Sequence, residues 1–529
     1  MNMLRRIFVF LILFFFAKNI LAQISCDQFM GAGFPGEHYI NGLAADDSGN
    51  VFIAGFFTDS LNLGGQSIVG QKYNSYIACL NGAQHLQWIH VYAHDQNDIT
   101  CRVLYSQDGS VYVSGSFIDS ISLGGFSYTT LGVWDIYVAK LNASTGSCQW
   151  LFRGGSNGGD ICREMQFDES GNLLVTGGFR GYCRLGPFTL ICSGTSDVFL
   201  MKMDPSGNVI WAKQASTPNG SLPYGLSAIG GNGIAVSGYY SHSLNFGNGV
   251  VLNAANNSSF VACYDSSGII RWAKNGISSA LIRATGDEHG NVYALDANYD
   301  FITKYSPFGD SLFSLEMEIG APPSPSYSIL QTFENRIYLS GRYSDSMSIG
   351  NHSFYSANGN AKLFLATMDT SCNLTRFFDY EDSLAGFAPG MMCFGVSDRA
   401  LIGGFYQCNP DVSYDSIAHL PCDSVAPTSV FILDVCLNNV GIGTVEDNPE
   451  EPVVYPNPVS TNLNVELNSP PFESVSIQLF DPTGRLIHHW STSTQKTTLD
   501  LRGISSGIYF LQILKHSKSL TSKIFISHQ

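Results

Sequence analysis

The feature that most constrains this chain is a short apolar pattern that returns about every sixty residues. Related five-residue strings occur at Val51–Gly55, Val111–Gly115, Leu173–Gly177, Ile234–Gly238, Val292–Asp296, Ile337–Gly341 and Ala400–Gly404. Their last residues are separated by 60, 62, 61, 58, 45 and 63 positions. A near-constant period over seven copies predicts a repeat architecture, in which each unit buries its apolar face against its neighbours.

Each unit has room for four short strands. A second apolar motif follows the first, best seen at Asp135–Lys140, Asp197–Lys202 and Asp300–Lys304, and four units then close with a tryptophan. Strings such as Asp168–Asn172 and Asp204–Asn208 separate these runs, and they favour turns because Asp opens a turn and Gly supplies positive φ. The sequence therefore predicts an all-β fold, a seven-bladed β-propeller followed by a small antiparallel β-sandwich. The alternative for the repeat region is a β-solenoid, whose coils are usually shorter.

The two ends of the repeat region are complementary. The seventh unit stops at Phe431–Cys436, without the strand that carries Trp in other units, whereas Gln28–Gly33 matches such a strand and has no unit of its own. We therefore expect an N-terminal strand to complete the last blade beside Phe431–Val435. In a ring, an N-terminal strand in the last blade covers a strand edge that would otherwise be exposed. A solenoid does not need this arrangement, so the complementary ends favour the propeller.

The first 22 residues have the pattern of a secretory signal peptide. Arg5 and Arg6 precede the apolar run Ile7–Ala17, and Ala22 offers a small residue before a cleavage point. Eleven apolar residues span about 16 Å as a helix, roughly half of a bilayer core. The run is therefore too short for a membrane anchor.

Charge is distributed unevenly along the chain. The net charge is −16, of which residues 1–22 carry +3 and residues 453–529 carry +2, so residues 23–452 carry −21. An acidic body repels phosphate backbones, which excludes nucleic acid as a partner. The predicted domains are a signal peptide at 1–22, a β-propeller at 23–440, a polar linker at 441–452 and a second domain at 453–529.

The second domain carries ordered blocks typical of a small antiparallel sandwich. Alternating apolar residues at Leu463–Leu467 and Val475–Leu479 predict half-buried strands. Asp481–Arg485 predicts a hairpin turn, and Gly507–Ile513 and Ser522–Ile526 predict the closing strands.

This domain resembles the type A C-terminal sorting domain of type IX secretion substrates of Bacteroidota. The matching motif residues are Tyr455, Pro456, Asn457, Pro458, Asp481, Gly484, Arg485, Gly507, Tyr509 and Lys523. The resemblance implies that the secretion machinery recognises the domain and removes it. It also implies that the mature protein is released or attached to surface lipopolysaccharide. The repeat body resembles secreted bacterial β-propeller proteins through Gly49–Phe57, which implies a fold and no chemistry.

Several strings resemble catalytic or ligand-binding motifs without the context that such motifs need. Gly31–Gly36 has the dinucleotide-binding spacing but no following helix, and Gly154–Gly158 resembles a nucleophile elbow without its strand-to-helix turn. His90 and His94 stand four apart in a predicted strand, where they do not surround one metal. We therefore predict no catalytic, cofactor-binding or metal-binding residues. Calcium at the Asp- and Asn-rich turns and sugar stacking on the Trp residues are the alternatives to purely structural roles.

The chain has thirteen cysteines, so they cannot all form pairs. Export permits disulfides, and position within the repeat indicates which cysteines meet. The predicted pairs are Cys26–Cys436, Cys148–Cys162, Cys183–Cys192, Cys372–Cys393 and Cys408–Cys422. Cys79 and Cys263 occupy equivalent apolar strand positions and are predicted to be buried thiols, and Cys101 has no partner.

Asp-Ser followed by an aliphatic residue resembles the O-glycosylation acceptor of Bacteroidota. At one repeat position it predicts modification of Ser60, Ser120 and Ser346, with plain turn serines as the alternative.

The sequence leaves three functions open. The leading hypothesis is an exported, non-catalytic β-propeller that binds a glycan or protein. The alternative is a secreted hydrolase or lyase acting on polysaccharide or protein, which requires a polar cluster at the ring axis that breaks the repeat. Residues 296–341 and 405–427 are the irregular stretches that could supply it. A third hypothesis is a spacer that presents sugars.

Overall fold

Short apolar runs between Gly-containing turns form β-strands throughout the structure, a computed structural model. It describes residues 28–32, 37–70, 73–94, 99–276, 282–296, 301–319, 329–356, 362–381, 388–395, 399–406, 429–436, 453–455, 461–466, 475–481, 485–494, 496–505, 507–515 and 518–526. Within these ranges every regular element is a strand, and no helix has the length and apolar character needed to cross a bilayer. The chain divides into two compact units, Met1–Gly443 and Thr444–Gln529.

In its described residues the first unit contains 36 strands. Those up to the fourth repeat are β1 (Gln28–Ala32), β2 (His38–Ala45), β3 (Val51–Phe57), β4 (Ser60–Leu63), β5 (Gln66–Val69), β6 (Tyr73–Leu80), β7 (Leu86–His94), β8 (Ile99–Ser106), β9 (Ser110–Phe117), β10 (Ser120–Leu123), β11 (Phe126–Thr129), β12 (Asp135–Asn142), β13 (Cys148–Gly154), β14 (Ile161–Phe167), β15 (Leu173–Phe179), β16 (Tyr182–Leu185), β17 (Phe188–Ile191), β18 (Asp197–Met203), β19 (Val209–Ala215), β20 (Ser221–Ile229), β21 (Gly233–Asn245), β22 (Val251–Tyr264) and β23 (Ile270–Asn275). Those of the last three repeats are β24 (Ile282–Gly286), β25 (Val292–Asp296), β26 (Phe301–Tyr305), β27 (Ser311–Ile319), β28 (Ile329–Phe333), β29 (Arg336–Tyr343), β30 (Ser346–Ile349), β31 (His352–Tyr355), β32 (Lys362–Met368), β33 (Leu374–Glu381), β34 (Ala388–Gly395), β35 (Arg399–Tyr406) and β36 (Ser429–Cys436).

These strands form seven antiparallel quartets, called sheets 1 to 7. In spatial order they are β2-β3-β6-β7, β8-β9-β12-β13, β14-β15-β18-β19, β20-β21-β22-β23, β24-β25-β26-β27, β28-β29-β32-β33 and β34-β35-β36-β1. The strands left over are two-stranded hairpins inserted between the second and third strands of a sheet. In sheet 4 the second and third strands are themselves lengthened, and the β30–β31 hairpin of sheet 6 pairs with β27 of sheet 5.

The N-terminal strand belongs to the last sheet. β1 pairs with β36 from Gln28 opposite Asp434 to Ala32 opposite Val430. The prediction that an N-terminal strand lies beside Phe431–Val435 is therefore confirmed. Ile53 of sheet 1 packs in one apolar cluster with Leu401 and Ile432 of sheet 7.

Apolar layers between neighbouring sheets form the core. Each of five apolar clusters contains residues from two neighbouring sheets, from sheets 1 and 2 up to sheets 5 and 6. In that order, examples from the five clusters are Phe52 and Val113, Val138 and Val175, Leu200 and Val236, Val261 and Val292, and Leu295 and Leu339. Between sheets 6 and 7 the rings of Phe333 and Phe394 stack with centroids 4.4 Å apart. Full burial of one such side chain contributes about 1.5–3 kcal/mol, so the layers are a major source of stability.

A tryptophan on the outer strand of each of sheets 1 to 4 joins that sheet to the next. The indole Nε1–H donates to a carbonyl in the turn between the third and fourth strands of the following sheet. The four bonds are Trp88 to Ala143 at 2.9 Å, Trp150 to Pro205 at 3.2 Å, Trp211 to Ser266 at 3.1 Å and Trp272 to Pro307 at 3.0 Å.

A glycine in the same turn lies against the Trp ring. The four are Gly146, Gly207, Gly268 and Gly309, with φ between +70° and +89°. A Cβ at Gly309 would lie 2.8 Å from the Trp272 ring, so both the backbone conformation and the close approach require glycine. We call each indole, carbonyl and glycine set a Trp–turn contact.

Between sheets 5 and 6 a polar pair replaces the Trp–turn contact. The Tyr293 hydroxyl and the Lys304 ammonium both donate to the Thr370 carbonyl, at 2.9 and 2.7 Å.

The second unit forms two sheets. Its strands are β37 (Val453–Tyr455), β38 (Asn462–Glu466), β39 (Val475–Phe480), β40 (Leu486–Thr492), β41 (Lys496–Asp500), β42 (Gly507–Lys515) and β43 (Lys518–Ile526). One sheet has the order β37-β38-β41 and the other β40-β39-β42-β43. Leu463 and Leu499 of the first share an apolar cluster with Ile477 and Leu511 of the second, which is the arrangement of a small sandwich.

The Trp–turn contact can be tested with two glycine variants. Gly309→Ala places a methyl group against the Trp272 ring, whereas Gly171→Ala changes a turn glycine of similar φ (+77°) that has open space around it. We expect a loss of about 1–2 kcal/mol for Gly171→Ala from backbone strain alone and a larger loss for Gly309→Ala. Urea unfolding of both variants measures the difference. Equal losses would show that the ring contact contributes nothing.

The pairing of β1 with β36 gives a second prediction. Deleting residues 24–35 exposes a strand edge of the last sheet, so the melting temperature should fall and the transition should stay cooperative. Adding a synthetic peptide of residues 24–35 should restore part of the loss. An unchanged thermal transition would contradict a structural role for this strand.

Candidate functional site

The first strands of all seven sheets line one cavity of about 250 Å³. We call it the inner-strand cavity. Its lining comprises Leu43–Ala45, Arg102–Tyr105, Glu164–Gln166, Gly225–Ser227, Arg283–Thr285, Leu330–Gln331 and Met391–Phe394.

β-Bulges occur at one equivalent position of five of these strands. The register shifts lie between Ile40 and Gly42, Thr100 and Arg102, Cys162 and Glu164, Pro223 and Gly225, and Pro389 and Met391. A bulge bends a strand and re-aims the side chains beside it. The residues that follow the bulges in sheets 2 and 3, Arg102 and Glu164, both line the cavity.

Three charged side chains from sheets 2, 3 and 5 meet in the cavity. The Glu164 carboxylate accepts hydrogen bonds from Nε of Arg102 at 2.5 Å and from its Nη2. Arg102 Nη1 also donates to the Asn41 carbonyl at 2.8 Å. Arg283 Nη1 lies 3.7 Å from Glu164 Oε1. The cluster therefore has two positive charges and one negative charge.

Two glycines leave room for this cluster. A Cβ at Gly42 would lie 2.7 Å from the backbone nitrogen of Val103, and a Cβ at Gly225 would lie 3.1 Å from that of Ala284. Gly42 thus lets sheet 2 approach sheet 1 beside Arg102. Gly225 likewise lets sheet 5 approach sheet 4 beside Arg283.

Burial and charge act on Arg283 in opposite directions. Burial lowers the pKa of its guanidinium, Arg102 lowers it further, and Glu164 opposes both. The Arg283 side chain is 32% exposed, compared with 16% for Arg102 and 13% for Glu164. Arg283 is therefore the member of the cluster most accessible to a ligand.

An aromatic pair is formed within sheet 4. Tyr224 occupies the bulge of sheet 4, and its ring stacks on Tyr239 with centroids 5.6 Å apart. The guanidinium of Arg163, from the bulge of sheet 3, lies 5.6 Å from the centre of the Tyr224 ring. Neither tyrosine is among the residues that line the inner-strand cavity.

This cluster was not predicted from the sequence. The enzyme alternative requires an axial polar cluster, and residues 296–341 and 405–427 were its only candidates, whereas the charged residues lie on β8, β14 and β24. A signal was present, however. Thirteen residues before the last residue of the seven repeat strings stand Gly42, Arg102, Glu164, Gly225, Arg283, Ser328 and Met391. At a position where the other four units have Gly, Ser or Met, three units have a charged residue.

The strings that resemble catalytic motifs have structural roles. Ser156 is 1% exposed, and its hydroxyl donates to Asp160 Oδ1 at 3.0 Å. Burial raises the pKa of Asp160 to about 6, and its oxygens also accept the Ser156 and Arg180 backbone N–H groups. His90 Nε2 hydrogen-bonds the Gly146 carbonyl at 2.7 Å. Gly31–Gly36 lies only partly within the described residues.

The Asp carboxylates of the repeat turns accept hydrogen bonds from residues of their own turns. Asp204 Oδ1 accepts the backbone N–H groups of Ser206 and Asn208, both at 2.9 Å, and Oδ2 accepts the Asn208 amide at 2.9 Å. Asp46, Asp168, Asp287 and Asp369 make the same bonds. Among the described residues no group of three or more His, Cys, Asp or Glu side chains is placed to hold a metal.

The eight cysteines whose side chains the structure describes are thiols. Cys79 and Cys263 are 2% and 0% exposed, which confirms the prediction of buried thiols. Cys183 and Cys192 belong to one apolar cluster of the β16–β17 hairpin. Their disulfide remains a prediction.

Two other predicted disulfides do not fit the structure. Cys148 packs in the layer between sheets 1 and 2, whereas Cys162 lies in the layer between sheets 2 and 3. Cys372 belongs to the layer between sheets 5 and 6, and Cys393 to that between sheets 7 and 1. Whole sheets therefore separate the partners. Cys26, Cys408, Cys422 and the side chain of Cys436 lie outside the described residues.

The predicted glycosylation serines open equivalent hairpins. Ser60, Ser120 and Ser346 are the first residues of β4, β10 and β30. Each follows an Asp with φ between 58° and 62°. Ser120 is exposed, whereas Ser60 and Ser346 are half-buried. Their modification remains a prediction.

The described residues of the sorting motif stabilise turns and strands of the second unit. Asp481 accepts the Arg485 backbone N–H and its Nε–H, both at 3.1 Å. The Tyr509 hydroxyl donates to the Ser505 carbonyl at 3.1 Å. Tyr455 pairs with Asn464, Gly507 with Ile526 and Lys523 with Phe510 in the two sheets. Pro456, Asn457, Pro458 and Gly484 lie outside the described residues.

Residues 453–527 match the family described as the secretion system C-terminal sorting domain. The chain therefore carries a sorting domain of the type IX secretion system, and the protein is secreted or displayed on the outer cell surface.

Other comparisons concern the repeat body. An uncharacterized WD repeat-containing protein of Acanthamoeba polyphaga mimivirus is 22% identical over 382 residues, which cover 52% of this chain and 27% of the relative. The chain thus spans about a quarter of that relative's length.

Three solved structures have distant similarity. A streptogramin B lyase has a TM-score of 0.41 at 10% identity, with 77% of this chain and 98% of that chain covered. The polysaccharide lyase Uly1 has a TM-score of 0.39 at 8% identity, with 78% and 100% covered. PorZ, a surface component of the type IX secretion system of Porphyromonas gingivalis, has a TM-score of 0.25 at 10% identity, with 92% and 81% covered.

Proposed function

We propose that the repeat body is a closed seven-bladed β-propeller that binds a ligand outside the cell without changing it chemically. This proposal rests mainly on the contacts that Glu164, the carboxylate of the inner-strand cavity, makes with two arginines. Both oxygens of Glu164 accept hydrogen bonds from Arg102, and Arg283 lies beside them. A general base must point at the proton that it removes, whereas the paired hydrogen bonds hold this carboxylate toward Arg102. This arrangement therefore favours binding over acid–base catalysis.

Three features support ring closure. An N-terminal strand completes sheet 7, apolar contacts join sheet 7 to sheet 1, and the first strands of all seven sheets line one cavity. In a propeller such a cavity lies on the ring axis, and ligands that enter it are surrounded by residues from every blade. The Trp–turn contacts use their indole N–H groups internally, so we assign the four Trp residues to the blade core rather than to sugar stacking.

The sorting domain accounts for export. We propose that the chain is cut near Gln23 and within the 440–455 linker, after which the body is released or attached to surface lipopolysaccharide.

Binding without turnover predicts a defined result on a glycan array. The exported protein should bind a limited set of glycans, with the same pattern in calcium and in chelator, because the turn carboxylates are engaged by their own backbone. Mass spectra of the bound glycans should show unchanged masses. Shortened or unsaturated products would favour the hydrolase or lyase alternative instead.

Maturation predicts a specific intact mass. Protein collected from the cell surface or the culture medium should begin near Gln23 and end between residues 440 and 455. A secreted species that retains Tyr509 and Phe525 would contradict removal of the sorting domain.

A further inference from the structure

We propose that the inner-strand cavity binds a small organic carboxylate. Arg283 holds the carboxylate group, and the side-chain amides of Gln166 and Gln331 hold a polar group at the other end of the same molecule. All three residues line the cavity. This inference rests on the proposed binding function and deepens it by naming the ligand class that the cavity admits.

Arg283 is the group that can hold an anion. A guanidinium has five N–H donors in a planar fork. Arg102 directs three of its nitrogens to Glu164 and Asn41. Arg283 approaches Glu164 at 3.7 Å, which is too long for a hydrogen bond, and its side chain forms no hydrogen bond with another residue that the structure describes. A carboxylate matches this fork in two parallel bonds.

The charge of the cluster favours a single negative charge on the ligand. Two guanidiniums and one carboxylate leave one positive charge in a partly buried site, where charges are screened less than in water. A carboxylate balances this charge, whereas a dianion brings a second negative charge that the cluster does not balance. The rest of the body is acidic, but surface charges more than about 10 Å away are largely screened at 0.1 M salt.

An uncharged polar layer follows the charged cluster along the same strands. Residues two apart in a strand point to the same face and lie about 6.6 Å from each other. Gln166 therefore follows Glu164 on one face of β14, and Thr285 follows Arg283 on one face of β24. The Thr285 hydroxyl lies 2.8 Å from that of Thr332, the residue after Gln331 on β28.

The amides are the members of this layer that are left for a ligand. The Thr332 hydroxyl donates to the Gly286 carbonyl, and the Thr285 hydroxyl oxygen accepts the Thr332 backbone N–H at 3.1 Å. The side chains of Gln166 and Gln331 form no hydrogen bond within the described part of the chain. Because a side-chain amide has two N–H donors and an acceptor oxygen, this pair can bind an amide or hydroxyl group.

The cavity volume limits the size of the ligand. A water molecule occupies about 30 Å³ of liquid, so a cavity of about 250 Å³ holds a molecule of roughly eight water-sized units. That is room for a carboxylate, a short carbon spacer and one amide group. Such a molecule extends from the charged cluster toward the uncharged layer.

Ligand-observed NMR titration of the full chain with N-acetyl-β-alanine tests the proposal. This molecule joins a carboxylate and an amide through two methylene groups. N-acetyl-β-alaninamide keeps the amide and loses the charge, whereas hexanoate keeps the charge and has methylene groups in place of the amide. We expect N-acetyl-β-alanine to bind at least about tenfold more tightly than its amide, because the charge-assisted pair is lost. It should bind about fivefold more tightly than hexanoate, whose apolar chain leaves the glutamine amides without partners.

Four variants assign the site. Arg283→Gln should weaken binding of N-acetyl-β-alanine by about tenfold or more through loss of the charged fork. Glu164→Gln should strengthen it, because both guanidiniums are then left for the ligand. Gln331→Met, of similar length, should reduce the preference over hexanoate. Arg184→Gln, on the exposed face of the β16–β17 hairpin, is the matched control and should change none of these affinities.

Thermal unfolding of each variant shows whether it is folded. Where a variant does not fold, the comparison of the three ligands on the unchanged chain decides the question by itself.

The outcomes separate this inference from the proposed function. Equal affinity for N-acetyl-β-alanine and its amide, undiminished binding by Arg283→Gln, hexanoate binding as tight as that of N-acetyl-β-alanine, or no binding of any of the three would each overturn the carboxylate site. The glycan array tests the proposed function independently of these results. Chemical conversion of N-acetyl-β-alanine, seen by mass spectrometry, would instead overturn the non-catalytic function.

Discussion

The contact between a tryptophan ring and the glycine turn of the next sheet is the interaction on which the repeat body depends most. In each case the indole N–H satisfies a turn carbonyl, and the ring lies where a larger residue than glycine would clash, as at Gly309 beneath Trp272. A hydrogen bond of this kind contributes about 0.5–1.5 kcal/mol net. Its larger effect is geometric, because it fixes the outer strand of one sheet against a defined point of the next. In sheets 1 to 4 the repeat therefore keeps the same contact at its outer edge, where successive sheets meet.

The inner edge of each sheet is free of that constraint. The residue after the bulge is glycine in sheets 1 and 4, methionine in sheet 7, and charged in sheets 2 and 3. Burying a charge is costly unless a partner compensates for it. The two arginines and Glu164 therefore stabilise one another, and the glycines between them provide the space. Binding specificity in such a scaffold resides where the repeat is broken, whereas stability resides where it is kept.

The difference between these edges explains what the sequence could predict. The strands, the N-terminal strand in sheet 7 and the buried thiols Cys79 and Cys263 all follow from periodicity and from alternation along single strands. The charged cluster unites residues about 60 and 120 positions apart, so no local pattern connects them. The pairs Cys148–Cys162 and Cys372–Cys393 were wrong for a related reason. Repeat position shows which strand a cysteine occupies, but the face to which its side chain points decides the layer in which it lies.

The central claim is that the first strands of the seven sheets surround one cavity in a closed ring, where Arg102 and Arg283 engage Glu164. A crystal structure of the full chain tests this arrangement most directly. The account predicts that β1 completes sheet 7, that sheet 7 packs against sheet 1, and that Arg102 holds the Glu164 carboxylate beside Arg283. A ring left open between sheets 1 and 7, or a Glu164 side chain that contacts neither arginine, would contradict it.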